Sequence, residues 1–524
     1  MAGRRNQQPQ ARRPTSFSLA LLAVLATTIT LHARLLSLPF FWDEAGYYIP
    51  AARDFFLSGS LIPHTTLHTA HTPLLSILLA AAWKISGYGI VITRASMLAV
   101  ACFGLWQVFR LAENVSNRSV AVAATLLTAL YPVFLAQSTL AHSDLLATAL
   151  VWWGLREYFE REPRFWRYAL AFTLAVLAKE IVVIVPAALA AWALLADRDW
   201  RKTAALLSLP VTILLLWFGY QRIRTGAWLG DPDYYRYNVT AAIAPQRVLL
   251  AFVQRAWQAF GHMQMWLATV TMLAAMLLVP KPGRDRIAIP IQLQFGAIIL
   301  AILLFNSVVG GALLTRYLLP AFPLVLIVAA STWWRRVPHW EWLAAAIAVA
   351  FLVSCYIDPP YRCAPEDNLN YADFVRLHQH AVHQVETQYP RADILTAWPM
   401  SDELARPELG YSATPHHVKT IKNFTPEEMA AANKESFDVA VVFSTKYEPK
   451  HPLFQSRRWL AMSARFFDYH RDLRPVDIAL MLNGSLVWQE ERGGHWVAII
   501  ARPQALNAER LPTAAIDHGN RSVR

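Results

Sequence analysis

Two adjacent acids, Asp43 and Glu44, stand in the segment Phe41-Trp42-Asp43-Glu44-Ala45-Gly46-Tyr47-Tyr48, bracketed by aromatic residues. A third acid, Asp144, opens an apolar run at Ser143-Asp144-Leu145-Leu146. Cations that could answer them are Lys84, Arg94, Lys179 in Leu177-Ala178-Lys179-Glu180, and Arg316 in Arg316-Tyr317-Leu318-Leu319-Pro320. His64, His68 and His71 add imidazoles at His-x3-His-x2-His spacing. A carboxylate can take the proton of an acceptor hydroxyl, and cations can hold a departing phosphate. Each residue alone has a blander reading. Asp144 can mark a water boundary, Lys179-Glu180 a kink pairing with another helix, and Arg316 a snorkelling anchor. The combination is what points to chemistry on a phosphate-bearing donor. No Gly-rich phosphate loop and no GxGxxG is present, so no water-soluble nucleotide is implied.

The elements that must position these residues are membrane spans. Of 524 residues, 55% are apolar and 16% charged, with uncharged runs at 203–221, 256–280, 287–315 and 317–334. A spanning helix needs about 20 mostly apolar residues, so a soluble enzyme is excluded. Spans are expected at about 14–33, 95–109, 119–138, 145–159, 167–179, 181–196, 203–220, 262–279, 290–309, 317–334 and 341–357, about eleven transmembrane helices in all. With the N-terminus inside, the short inner segments hold 18 Lys and Arg in 57 residues, against 11 in 114 residues outside. That asymmetry satisfies the positive-inside rule and puts Asp43, Asp144, Lys179 and Arg316 together on the outer face. Ionisable groups at membrane depth are costly and are functional candidates by default. The net charge of +12 sits in these short loops, so it does not imply nucleic-acid binding. Residues 73–85 are too short to span and are read as an amphipathic helix on the outer surface, inside a large first outer loop, 34–94.

Beyond 358 the composition turns mixed and polar. Strand-like runs at 394–396, 439–443, 485–488 and 496–501 alternate with helical patterns at 370–388, 426–435 and 453–467. This predicts a small extracytoplasmic α/β domain over 358–505, following a transmembrane module over 1–357. Residues 506–524 read as disordered. Three cysteines cannot build a disulfide framework, although Cys355 and Cys363 could pair if they lie outside.

Phe-Trp-Asp-Glu-Ala-x-Tyr-Tyr after the first span resembles the polyprenyl-phosphate-sugar-dependent GT-C glycosyltransferases, in particular the protein O-mannosyltransferase and aminoarabinose (lipid A) transferase branch. His71-Thr72-Pro73-Leu74, Thr93-Arg94-Ala95-Ser96, Asp144, Lys179 and Arg316-Tyr317-Leu318-Leu319-Pro320 stand where that branch has similar segments. Thr72 and Glu180 depart from its pattern, and the Trp-Trp-Asp signature of oligosaccharyltransferases is missing. The resemblance covers roughly 38–325. It implies an integral membrane enzyme of the inner or plasma membrane, moving a sugar with inversion from a polyprenyl-phosphate donor. The acceptor would be a hydroxyl on an extracytoplasmic lipid, glycan or protein. Asp43 would be the base, with Glu44 and Asp144 orienting the acceptor or a divalent ion. His71, Lys84, Arg94, Lys179, Arg316 and Tyr317 would hold the donor phosphate. No cofactor is certain. A divalent metal on His64, His68 and His71 is conceivable only if 64–71 is helical.

Two other classes compete. A polytopic transporter of a lipid-linked or small anionic substrate would explain the spans and Lys179, but it should show repeats and polar groups near the midplane. A membrane-anchored sensor would put the function in 358–524 and leave the spans chemically silent.

Overall fold

The computed structural model describes residues 19–239, 243–449 and 451–503. The arginine-rich start of the chain and the tail expected to be disordered lie outside the described residues. Up to residue 354 the described chain is helical: α1 Leu19–His32, α2 Ile49–Ser58, α3 Leu74–Ser86, α4 Ile90–Val115, α5 Arg118–Leu130, α6 Pro132–Gln137, α7 Ser143–Tyr158, α8 Phe165–Ala178, α9 Ile184–Trp192, α10 Trp200–Thr225, α11 Pro232–Asn238, α12 Pro245–Phe260, α13 Met265–Met276, α14 Ile289–Val308, α15 Phe322–Arg336 and α16 Trp340–Ser354. By length and composition, α4, α10 and α14 are long and apolar enough to cross a membrane. The other expected spans coincide with shorter helices, and some are interrupted. The run 119–138 breaks between α5 and α6, where Pro132 biases Tyr131 to an extended conformation. The run 181–196 opens as a tight turn, Glu180–Val183, before α9.

Residues 73–85 form α3, packed between α2 and α4 through Leu75, Leu79 and Trp83. The segment 59–73, which carries the three histidines, contains no helix. The condition set for a metal on His64, His68 and His71, a helical 64–71, is therefore not met. Among the described residues, no group of three or more His, Cys, Asp or Glu is arranged to hold a metal ion.

After α16 the chain passes through 355–370 to α17 Tyr371–Gln388 and a five-stranded sheet. Its strands are β1 Ile394–Ala397, β2 Val418–Ile421, β3 Val439–Phe443, β4 Ser485–Arg492 and β5 His495–Ala501, in the order β2-β1-β3-β5-β4. The pairs β1–β2 and β1–β3 are parallel, while β5 runs antiparallel to both β3 and β4. The fully buried run Val439–Phe443 is the central strand, as expected where both faces are covered. Strand β2 was not expected from the sequence. It is a four-residue edge strand with no buried residue, too short for a pattern to show. The helix expected over 453–467 is two, split at Ser456, whose hydroxyl accepts from the Trp459 N–H at 3.4 Å.

This sheet region packs on the segment 34–94. Arg53 pairs with Glu408 at 2.7 Å, and the Phe40 N–H donates to the Leu409 carbonyl at 3.2 Å. Tyr88 donates its hydroxyl to the Glu408 carbonyl at 2.7 Å. The Trp398 indole lies directly on Gly46, where a Cβ would come within 2.6 Å of the ring. Glycine is required there by that close approach. Cys355 and Cys363 are both free thiols, so the pairing considered from the sequence does not occur.

Candidate functional site

The two adjacent acids part company at Trp42. Its backbone is left-handed, with φ of 44°, a strained conformation for a bulky residue. The Trp42 ring is held between Phe374 at 5.6 Å and Trp398 at 5.3 Å, so α17 and the loop after β1 stabilise the turn. From this turn Asp43 goes to Arg316, and Glu44 goes to Arg94.

Arg316 is the hub. It sits in the short turn Thr315–Leu318 ahead of α15 and is 2% exposed. One terminal nitrogen contacts Asp43 Oδ2, and the other lies 2.6 Å from Glu366 Oε1. Its Nε faces Asp144 Oδ2 at 3.3 Å, without the alignment of a hydrogen bond. Asp144 lies in the first turn of α7, where the helix dipole favours an anion. Its other oxygen accepts from Lys179 Nζ at 2.6 Å. Lys179 has an extended backbone and ends α8, so its cation also faces that helix's negative end. Thus Asp43, Asp144, Lys179 and Arg316 form one connected network, to which Tyr317 is joined by its ring: Lys179 Nζ lies 4.4 Å from the ring centroid. Asp43 is its most accessible acid, with a side chain 20% exposed against 3% for Asp144 and 5% for Glu366.

Glu44 and Arg94 form a separate, sealed pair, both 0% exposed. Arg94 donates through Nε to the Leu38 carbonyl at 2.8 Å. Its Nη1 reaches the Thr139 carbonyl at 3.1 Å and Glu44 Oε1 at 3.4 Å. Its Nη2 reaches the Pro39 carbonyl and, at 3.1 Å, Glu44 Oε2. All five N–H groups are then engaged, leaving none for a phosphate. Glu44 also accepts from the N–H groups of Phe41 at 2.8 Å and Ala141 at 2.6 Å. Burial holds its carboxyl above the usual carboxylate range, against the pull of Arg94. The geometry corrects the sequence expectation for both residues: the pair ties the Asp43 loop to the turn before α7 and offers no free atom to a ligand.

Two further expectations need the same correction. Lys84 is exposed in the last turn of α3 and has no ion-pair partner among the described residues. It does not join the network. His71 binds Glu180 through Nδ1 at 3.0 Å and stacks on Tyr48, ring centroids 5.9 Å apart. It therefore borders the network beside Lys179, with its Nδ1 taken up by Glu180. His64 is exposed, and His68 carries a buried Nε2 without a partner.

Sequence reasoning missed Glu366 and Arg255. Glu366 comes from the segment between α16 and α17. Burial raises its pKa to about 7; Arg316 pulls it down but does not prevail, and neighbouring Asp367 and Asp43 push it further up. Asp367 braces the same turn, accepting at Oδ2 from Thr315 Oγ1 at 2.9 Å and His262 Nε2 at 3.0 Å. The signal for these two was Pro365-Glu366-Asp367, a second pair of adjacent acids shortly after an apolar run. Arg255 projects from α12 and is fully buried. It has no carboxylate partner among the described residues, its Nη2 lacks a hydrogen bond, and it lies 5.5 Å from the Tyr317 ring. Burial lowers its pKa to about 10, so it stays cationic at neutral pH. Nothing in the local sequence separates Arg255 from the other arginines of 220–255.

Comparison with known proteins places this arrangement. No protein-family model matches the chain, and no curated protein matches it in sequence. Among solved structures, ArnT from Cupriavidus metallidurans bound to undecaprenyl phosphate aligns with a TM-score of 0.54 at 13% identity, covering 92% of this chain and 98% of that one. The apo state of the same protein aligns with a TM-score of 0.54 at 14% identity, over 91% and 97% of the two chains. Arabinofuranosyltransferase AftD from Mycobacteria overlaps at 0.42 with 16% identity, over 82% of this chain and 35% of that one, too loosely to support an argument. The near-complete two-way coverage by ArnT extends to the sheet region after α17 as well as the helices, and it carries the conclusion: this chain has the fold of the GT-C glycosyltransferases.

Proposed function

We propose that the chain is an integral membrane glycosyltransferase that moves a sugar from a polyprenyl-phosphate donor to an extracytoplasmic acceptor hydroxyl. The observation that carries this reading is the Arg316 network, in which an accessible carboxylate, Asp43, is linked through Arg316 and Asp144 to Lys179, while Arg255, with no carboxylate partner among the described residues, shares the Tyr317 ring with Lys179. The acceptor oxygen attacks the anomeric carbon and its proton passes to Asp43. The bond between that carbon and the phosphate oxygen breaks. Lys179 and Arg255, both close to the Tyr317 ring, take the growing charge of the polyprenyl phosphate. Attack opposite the leaving phosphate inverts the anomeric centre. Asp144 holds Lys179 and Arg316 in register, and Glu366 holds Arg316 against Asp43.

The proposed topology has eleven spans, an inner N-terminus and an outer 358–505 domain, with 1–357 as the catalytic module. The ArnT structure, described as bound to undecaprenyl phosphate, supports the donor class. The transporter reading loses ground because the charged groups sit at helix ends and in the loops before them: Asp144 opens α7, Lys179 ends α8, and Arg316 precedes α15. The test is incubation of purified protein with lipid extracts, scoring loss of one polyprenyl-phosphate sugar and release of polyprenyl phosphate. Wild-type protein should consume it and Asp43→Asn should not. No consumption of any such lipid by active, folded wild type would rule the reading out.

A further inference from the structure

At the other end of α15 from Arg316 lies a second concentration of positive charge. The helix has 15 residues, so the two are separated by about 22 Å along it, about three-quarters of the depth of a bilayer core. There a cleft of about 250 Å³ is lined by Arg286, Arg335 and Arg336 and contains no Asp or Glu in its wall. None of the three arginines has an ion-pair partner among the described residues. Two of them are nonetheless held in place. Arg335 donates through Nε to the Arg284 carbonyl at 3.3 Å, and Arg336 through Nη1 to the Met276 carbonyl at 2.9 Å. Arg336 Nη1 also donates to the Leu278 carbonyl, and the remaining N–H groups of both arginines have no protein acceptor among the described residues.

The N-terminus of α14 opens on the same cleft, through Ile289 and Gln292. Its cap residue, Ala288, offers no side chain to the first turn, and that turn holds no acid. The helix dipole therefore adds to the arginine field, with no acidic side chain in that turn to offset it. Beside Gln292, Ser331 and Thr332, the rest of the wall is an apolar part formed by Met276, Ile287, Ile289 and Val328, and Met276 and Ile289 are exposed on lipid-compatible helices. A soluble anion would have no use for this half of the cleft. An acyl chain would.

We propose that this cleft binds the phosphate of an anionic membrane lipid at the face opposite the Arg316 site, with the acyl chains along Met276 and Ile289. Basic pockets between spanning helices at the cytoplasmic boundary are suited to such headgroups. The proposal uses the membrane reading but not the sugar-transfer chemistry. The excess of Lys and Arg in the inner segments then has a specific use here, beyond setting orientation.

The test is thermal unfolding of delipidated protein in uncharged detergent, with phosphatidylglycerol, phosphatidylcholine or inorganic phosphate added at equal phosphate. Phosphatidylglycerol should raise the midpoint in a saturable way, and the other two should not. Arg286→Gln removes no hydrogen bond or ion pair among the described residues and should fold normally. It should weaken phosphatidylglycerol binding about fivefold, from roughly 1 kcal/mol per cationic residue at a membrane surface. Arg286→Gln with Arg335→Gln should weaken it further. An unchanged response in both variants would overturn the proposal. So would an equal shift with inorganic phosphate, which would assign the cleft to a soluble anion.

Discussion

Glu44→Gln should break the structure, and Asp43→Asn should break the chemistry, although the two residues are neighbours. Glu44 accepts four hydrogen bonds, two from Arg94 and one each from the N–H groups of Phe41 and Ala141. Glutamine keeps one oxygen and places an NH2 where the other was. That NH2 must face either the Arg94 guanidinium or a backbone N–H, donor against donor. It also leaves Arg94 charged in a site with no solvent. Breaking a buried ion pair by removing one partner costs about 3–5 kcal/mol. At about 1 °C per kcal/mol for a chain of this length, the thermal midpoint should fall by roughly 3–5 °C. Asp43 has one arginine contact and a side chain 20% exposed, and Arg316 keeps Asp144 and Glu366 when Asp43 is neutralised. Asp43→Asn should therefore leave the midpoint within a degree or two while cutting turnover by roughly 10²–10⁴-fold, the range for loss of a general base. The assay pairs scanning fluorimetry in detergent with single-donor turnover for each variant at a temperature where both are folded. A Glu44→Gln protein with the wild-type midpoint and a large loss of turnover would refute the division of labour. So would a fully active Asp43→Asn protein.

Glu366 should set a pH dependence near neutrality. Its folded pKa of about 7 lies above the usual glutamate value of 4.5, so the native state binds this proton more tightly than the unfolded chain. Its contribution to stability is complete below about pH 4.5 and is lost as pH rises through about 7. The wild-type midpoint should thus decline across that window relative to Glu366→Gln, and a parallel pair of curves would count against the assignment. The same variant should flatten any limb of the pH–rate profile near 7. Lys179→Ala and Arg255→Ala should each weaken competition by polyprenyl phosphate, and Lys179→Arg should retain part of it; equal competition in wild type and Lys179→Ala would remove Lys179 from the donor site. For topology, a reporter active only outside, fused after residue 360, should be active, whereas an inactive fusion on intact protein would mean one span has been miscounted.

Much of this molecule is legible in one dimension because a bilayer judges each segment separately. Apolar run length and the charge of each short loop are local quantities, and they placed helices, suggested sidedness and put Asp43, Asp144, Lys179 and Arg316 on one face. The resemblance to the GT-C branch rested on the same ordered residues, and the fold agrees with it. Pairing is a different kind of information. Asp43 and Glu44 are adjacent carboxylates in one local setting, yet beyond a left-handed Trp42 one joins an accessible network and the other a sealed clamp with Arg94. No hydropathy or spacing argument distinguishes them, because the difference lies in Arg316, hundreds of residues away, and in Phe374 and Trp398, which hold the turn. Lys84 and Arg94 look equally suited to a phosphate in sequence. Only packing shows that one faces outward and the other has all five donors engaged. Glu366 and Arg255 reach the site from segments whose own composition is unremarkable. Membrane placement follows from the sum of side-chain transfer energies along a helix, which sequence contains. Which charge meets which is set by the low-dielectric packing of segments distant in sequence, and that is decided in three dimensions.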